Sequence, residues 1–299
     1  MPLCVFPKCF IPSFLNHGDY TVDWWMREVA ATVKADGVEL YGPALPTSDQ
    51  AVDALGKLAR DLGLKIPMFC HTPDFTQTDA AERRREIDTQ KRAIEICRRL
   101  GISYCRVLSG QRRPGLAVEA GLDFAAQCIT ELIPFAASAG VCLILENHYK
   151  DAHWNYPEFA QKREVFRDLL ARIPVSPNFG ANFDPSNALV AGDDPVDFLK
   201  EFIPRVRTMH ASDRYLLSGT LEDLRRADAE GKAGYASNLR HGVIGEGLID
   251  YPSIFAELKA HRFSGWISIE NGNDPEKGIQ HMQQSSVFLR KMMRSHEIN

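Results

Sequence analysis

Four residues stand where a charge is expensive. The apolar run Val141-Cys142-Leu143-Ile144-Leu145 stops on Glu146, with Asn147 and His148 directly after it. Gly180-Ala181-Asn182-Phe183 stops on Asp184, Val206-Arg207-Thr208-Met209 on His210, and Trp266-Ile267-Ser268-Ile269 on Glu270. Short apolar runs of about four to eight residues bounded by turn signals read as buried strands. A buried charge without a partner is costly, so each strand end calls for compensation by a metal ion or a substrate. Three carboxylates and one imidazole make an oxygen-rich donor set. Such a set suits one divalent metal ion, Mn²⁺ or Mg²⁺ first and Co²⁺ or Zn²⁺ next. With no thiolate among the four, a structural zinc is disfavoured. Taken singly, each residue has an ordinary reading as a helix cap, a salt-bridge partner or a core histidine. Four of them on successive strands at one edge read jointly as a site.

The elements that must position them alternate regularly. Strands are expected at Leu3–Phe10 (broken by Pro7), Gly37–Tyr41, Lys65–Cys70, Tyr104–Leu108, Val141–Glu146, Gly180–Asp184, Val206–His210 and Gly265–Glu270. Helical spacing of apolar residues predicts helices over 21–34, 48–62, 78–100, 116–139, 157–173, 195–202, 251–261 and 279–293. Thr21 is an acceptable N-cap, Pro157 a helix start and Gly140 a left-handed C-cap. Eight strand–helix units imply a parallel sheet. In 299 residues they imply an α/β chain folded as a single (β/α)₈ TIM barrel over 1–299, since such barrels take about 250 residues. A doubly wound open sheet is the alternative, weakened by the lack of a G-x-G-x-x-G after the first strand. The long segment 211–241 after the seventh strand is an insertion, read as a lid or an oligomer contact, with a helical piece over 221–230.

Composition narrows the function classes. Apolar content of 44% and charged content of 25% are those of a soluble globular protein. A net charge of -4 gives no footprint for nucleic acid. Seven cysteines without C-x-x-C spacing point to a reducing compartment, hence a cytoplasmic location. The N-terminus carries no secretory pattern and no run reaches membrane-spanning length. A small-molecule partner is expected, and a homo-oligomer is compatible with the fold.

Here the chain resembles the xylose isomerase-like TIM barrels. The likeness is carried by Leu-Glu146-Asn-His, Asn-Phe-Asp184-Pro-Ser-Asn, His210-Ala-Ser-Asp, Gly245-Glu246-Gly247-Leu248-Ile249-Asp250-Tyr251 and Ile-Ser-Ile-Glu270, and it covers nearly the whole chain. The superfamily includes sugar isomerases and epimerases, inosose isomerases and dehydratases, and abasic-site endonucleases. The resemblance implies that Glu146, Asp184, His210 and Glu270 are metal ligands. It further implies that Glu146 and Glu270 are the acid/base pair of the ketose 3-epimerases. Two positions depart from that pattern. Asn187 stands where those epimerases carry a histidine, and Leu216 where they carry an arginine, with Arg214 two residues earlier. The endonucleases need three zinc ions; His71 and His241 match their pattern, whereas Asn187, Leu239 and the histidine-free Ser109-Gly110 do not.

A proton next to a carbonyl is weakly acidic. A metal that polarises the carbonyl oxygen contributes several kcal/mol, and a placed carboxylate contributes roughly 10²–10⁴-fold. The expected activity is therefore a divalent-metal-dependent isomerase or epimerase of a sugar, ketose or cyclitol acting through an enediolate. A dehydratase of a keto-sugar or inosose is the alternative, and a non-catalytic sugar-binding barrel a third reading. Expected substrate contacts are Glu39, His71, His148, Trp154, Asn187, Asp213, Arg214 and His241. Of these, Asp213 has a second reading, orienting His210 from behind.

Overall fold

The computed structural model describes the chain apart from residues 47, 152, 230–237, 273 and 298–299. Its strands are β1 (Leu3–Val5), β2 (Gly37–Val38), β3 (Leu40–Tyr41), β4 (Met68–Cys70), β5 (Tyr104–Val107), β6 (Cys142–Glu146), β7 (Phe179–Phe183), β8 (Val206–Ala211), β9 (Arg214–Leu216), β10 (Leu239–His241) and β11 (Trp266–Ile269). Nine of these form one sheet in the order β2-β1-β11-β8-β7-β6-β5-β4-β3, and every neighbouring pair is parallel. β2 pairs with β1, and β3 pairs with β4. Only Glu39 separates β2 from β3, so they are two halves of one stave, and the sheet closes into the expected (β/α)₈ barrel.

The helices are α1 (Ile11–Leu15), α2 (Val22–Glu28), α3 (Asp49–Asp61), α4 (Ala80–Leu100), α5 (Val118–Ser138), α6 (Arg163–Arg172), α7 (Pro185–Val190), α8 (Pro195–Phe202), α9 (Leu221–Ala229), α10 (Tyr251–Ala260) and α11 (Gly278–Ser295). Thr21 caps α2 by accepting from the Trp24 N–H at 3.2 Å. Gly140 lies just beyond α5 at φ 71°, a conformation glycine adopts without strain.

Four stretches differ from expectation. The strand expected over 3–10 ends at Val5, because Pro7 has no N–H to continue a ladder; Lys8–Phe10 is a 3₁₀ turn that leads into α1. The helix expected from Pro157 begins only at Arg163. Before it, tertiary bonds claim the backbone: the Glu158 N–H donates to Tyr149 O and the Phe159 N–H to Gly110 O, both at 2.7 Å. The segment after β8 is not plain loop, since β9 and β10 pair antiparallel. Its helical piece is α9, and position 230 lies outside the described residues. The short helix α7, directly after Asp184, was not anticipated.

Alternation along the staves sorts the side chains. Leu3, Val5, Leu40, Phe69, Cys105, Val107, Leu143, Leu145, Phe183, Met209, Ala211, Ile267 and Ile269 join the large apolar core shared with the helices. The intervening residues face into the barrel. Phe6, Tyr41, Met68, Cys70 and Ile144 form a small inner apolar cluster. Above it, the same inward register delivers Glu39, Arg106, Glu146, His210 and Glu270, all buried. The site therefore sits at the C-terminal ends of the staves, where barrels of this kind place their chemistry.

Candidate active site

Glu146, Asp184, His210 and Glu270 converge, with one donor atom from each inside a cluster no wider than 4.8 Å. Glu146 is the last residue of β6. Its Oε1 lies 3.1 Å from His210 Nδ1, and its Oε2 accepts from Arg106 Nη1 at 2.8 Å. Glu270 follows β11. Its Oε1 is ion-paired with Lys8, and its Oε2 lies 2.8 Å from His210 Nδ1 without hydrogen-bonding geometry.

Asp184 combines two roles that the sequence offered as rivals. It is the N-cap of α7, its Oδ1 accepting from the Asn187 N–H at 2.8 Å and from Ser212 Oγ at 2.6 Å. Its Oδ2 is buried with no partner. Asn147 fixes the Asp184 main chain from both sides: its amide donates to Asp184 O at 2.7 Å and accepts from Asp184 N at 2.8 Å.

His210 is held on three sides. Its Nε2 lies 2.9 Å from Glu39 Oε2, and with the ring's pKa raised well above its ordinary value this nitrogen carries a proton. Phe6 stacks on the ring with centroids 5.5 Å apart. Glu39 is itself fixed by the Cys4 and Cys70 thiols, each donating at 3.4 Å. Nδ1 is left facing the carboxylates, the arrangement in which a carboxylate behind a histidine orients it as a metal ligand.

The electrostatics fit a cation at this point. Burial disfavours a charged His210 ring, but Glu146 and Glu39 outweigh it and raise its pKa well above the ordinary value. Burial, with Glu270 and Glu146 adding to it, pushes the Asp184 carboxyl up to about 6. Burial also opposes charge on Glu146, yet His210 and Arg106 win and bring it down to about 2. Asp184 Oδ2 and Glu270 Oε2 are buried without hydrogen bonds in residues that cluster with Glu146 and His210, the donor set a divalent cation would complete.

The other expected residues are distributed around this centre. His71 accepts from the Thr72 N–H at 2.8 Å through Nδ1, and burial and Arg106 lower its pKa to about 3, leaving it neutral. With Trp154 it lines a cavity of about 640 Å³. His148 packs edge-on against Trp154, centroids 6.4 Å apart, with Nδ1 3.8 Å from Glu158 Oε2. His241 lines a second cavity of about 580 Å³ with Arg240 and Lys277, and its Nδ1 has no partner. Arg214 is buried, donating to Ser186 Oγ at 3.4 Å and Leu239 O at 3.2 Å. Asn187 gives Asp184 its backbone N–H.

Two expectations change. Glu39 stands behind His210 and holds its Nε2, and it lines neither cavity. Asp213 neither meets substrate nor backs His210. Its carboxylate accepts from the N–H groups of Arg214, Gly245, Gly247 and Ile249 at 2.8 to 3.1 Å, which ties down the 245–249 turn.

Sequence reasoning missed Lys8, Arg106, Asp151 and Glu158. Arg106 had a visible signal, a lone cation inside the apolar run Tyr104–Leu108. It bonds Glu146, donates from Nε to His71 O at 3.2 Å, and lies 3.8 Å from Asp151. Asp151 also accepts from Tyr41 Oη at 2.8 Å. Lys8 was hidden in a stretch read as strand.

A closed parallel barrel with this centre defines a class, and sequence comparison defines it independently. A family model described as the xylose isomerase-like TIM barrel matches residues 27–292. The chain belongs to that family. Among curated proteins it is similar to the inosose dehydratase of Geobacillus kaustophilus (strain HTA426), 32% identical over 93 residues, 31% of this chain and 29% of the relative. The match thus spans under a third of that relative. Among solved structures it is similar to a D-tagatose 3-epimerase-like protein, with TM-score 0.76, 19% identity, and 99% and 98% of the two chains covered. It is also similar to the IOLI protein with a binding zinc atom, with TM-score 0.74, 17% identity and 99% of both chains covered.

Proposed function

We propose that this protein is a divalent-metal-dependent enzyme that removes a proton next to the carbonyl of a sugar, ketose or cyclitol. The observation that carries the reading is the gathering of one donor atom each from Glu146, Asp184, His210 and Glu270 inside 4.8 Å, where Asp184 and Glu270 each keep a buried oxygen without a hydrogen bond. Glu146, Asp184, His210 and Glu270 would hold the ion, with Mn²⁺ or Mg²⁺ matching the oxygen-rich set and Zn²⁺ or Co²⁺ compatible. Bound there, the ion supplies Lewis-acid polarisation of a carbonyl oxygen.

The protein's own groups do the rest. Glu270 removes the proton; its second oxygen is ion-paired with Lys8, whose side chain is partly exposed. Glu146 is held by the buried Arg106 and stays ionised. The layer of His71, His148 and Trp154 on one side and His241 on the other offers polar and aromatic surface to a polyol. Return of the proton gives an isomerase or epimerase. Loss of a neighbouring hydroxyl instead gives a dehydratase, a second reading favoured by the likeness to inosose dehydratase and by Asn187 in place of histidine. Abasic-site cleavage is the poorest fit, since the described residues bring one such cluster of four donors together and its histidine is single.

Deuterium exchange tests the proposal. Metal-loaded protein is incubated in D₂O with ketoses, inososes and keto-sugars and followed by NMR beside an EDTA-treated control. Metal-dependent deuterium at a carbon next to the carbonyl is the expected result, and the product separates epimer from dehydrated species. Absence of exchange across the panel would refute enolisation.

A further inference from the structure

The two glutamates of the centre share a pattern. Each turns one oxygen to the donor cluster and gives the other to a cation: Glu146 to Arg106, Glu270 to Lys8. The cations differ in kind. Arg106 is wholly buried and pinned by His71 O and by Asp151 as well as Glu146. It has nowhere to go. Lys8 starts the 3₁₀ turn after β1, and its side chain is 24% exposed with Glu270 as its ion-pair partner. A lysine ammonium is a compact charge on a flexible stem with three donors. One donor on Glu270 leaves two for another acceptor.

Lys8 also lies close enough to His241 for its charge to act on that ring. His241, in the wall of the cavity of about 580 Å³, has its pKa lowered by burial first and then by the neighbouring charges of Lys8 and Arg214, while Glu270 acts on it in the opposite direction. Lys8, Glu270 and His241 are therefore within electrostatic reach of one another, with His241 in the cavity wall. Arg214, the other cation that acts on His241, has its donors on Ser186 and Leu239.

We propose that Lys8 is a substrate-contacting residue: its ammonium, paired with Glu270 in the free protein, faces the substrate oxygen on which negative charge builds as the proton leaves. This rests on the enolising reading above. A fixed donor aimed at developing charge in a water-poor site contributes more than the same contact in solvent. The cost is that the ammonium and a divalent cation draw on the same carboxylate. Lys8 must therefore weaken metal binding while strengthening the transition state, and those opposite signs separate a substrate-contacting lysine from one that merely props Glu270.

The test uses Lys8→Met and Lys8→Arg in the full chain. Calorimetry measures Mn²⁺ binding and then binding of glycolohydroxamate, an enediolate mimic, to the Mn²⁺-loaded protein. Lys8→Met is expected to bind Mn²⁺ about tenfold tighter, as removal of a nearby positive charge requires. Its affinity for the hydroxamate should fall at least about tenfold, and deuterium exchange about 10²–10³-fold. Lys8→Arg should keep wild-type metal affinity and recover part of the hydroxamate binding. Weaker or unchanged Mn²⁺ binding by Lys8→Met overturns the proposal, as does hydroxamate binding equal to wild type. A wild-type protein that exchanges no compound, beside variants that show both calorimetric shifts, refutes enolisation and leaves the placement of Lys8 supported.

Discussion

Oε2 of Glu39 accepts from Nε2 of His210 at 2.9 Å, and that contact decides which ring nitrogen faces the carboxylates. A backing carboxylate fixes both the tautomer and the angle of a ligating histidine, and its loss commonly costs about 10–100-fold in metal affinity. Glu39→Ala should weaken Mn²⁺ binding within that range, and Glu39→Gln less, because the amide oxygen still accepts from the ring. Calorimetric titration checks it. Equal affinity in all three proteins would mean that the ring is held by Phe6 alone.

Arg106 is the one cation the inner layer cannot lose cheaply. Arg106→Met leaves Glu146 ionised in the barrel interior with half its compensation gone. Breaking a buried pair on one side costs about 3–5 kcal/mol. Chemical denaturation at neutral pH should show a loss of that size in the metal-free variant and a smaller one with Mn²⁺ present, since the ion takes over part of the neutralisation. An unchanged denaturation midpoint would contradict the pairing.

Glu270→Gln separates holding the ion from moving the proton. The amide keeps an oxygen for the cluster but is no base. Exchange should drop by roughly 10²–10⁴-fold while the protein still takes up Mn²⁺ at raised concentration. Wild-type exchange rates in this variant would remove Glu270 from the proposed role.

The barrel was legible because its signals are local. Apolar runs with abrupt polar ends gave the staves, and inward alternation follows from the pleat. The quartet of Glu146, Asp184, His210 and Glu270 was legible for the same reason, as each member ends its own run. What stayed hidden depends on contacts between distant segments. Glu158 reads as a helix-start residue until Ser109 and Tyr149 claim its groups. Lys8 looks like part of a strand until Pro7 ends β1 and turns it toward Glu270. Asp213 reads as a second carboxylate near His210, and only the path of the 245–249 turn shows where its oxygens go.

The pH response follows from Asp184 and His210. Asp184 is pushed up to about 6, above an unfolded value of about 3.9. Its contribution to the stability of the metal-free fold is therefore fully present below about pH 4 and is lost as pH rises through 6. A divalent ion competes with that proton and with the one His210 retains above neutrality. Metal affinity should climb steeply to pH 6 and more gently beyond it, with roughly two protons released per ion below 6 and roughly one above. Titrations in buffers of different ionisation enthalpy count the protons. A flat affinity from pH 5 to 7.5 would sink the assignment.

Asp213 ties down the turn that lines the His241 cavity. Its two oxygens accept four backbone N–H groups, three of them from the 245–249 turn, and burial raises its carboxyl pKa despite those bonds. The approach is close enough that a Cβ on Gly247 would lie 2.2 Å from Asp213 Oδ1 and 2.4 Å from Arg214 O. Two variants should therefore converge on one defect. Asp213→Ala leaves buried donors unpaired, at about 1–3 kcal/mol for each that water cannot reach. Gly247→Ala forces the turn off the carboxylate by sterics alone. In both, the turn that lines the His241 cavity moves while Glu146, Asp184, His210 and Glu270 stay on their staves. Mn²⁺ affinity should hold within about threefold, while hydroxamate binding and KM deteriorate. Loss of metal binding in both variants would show instead that the turn supports the centre itself.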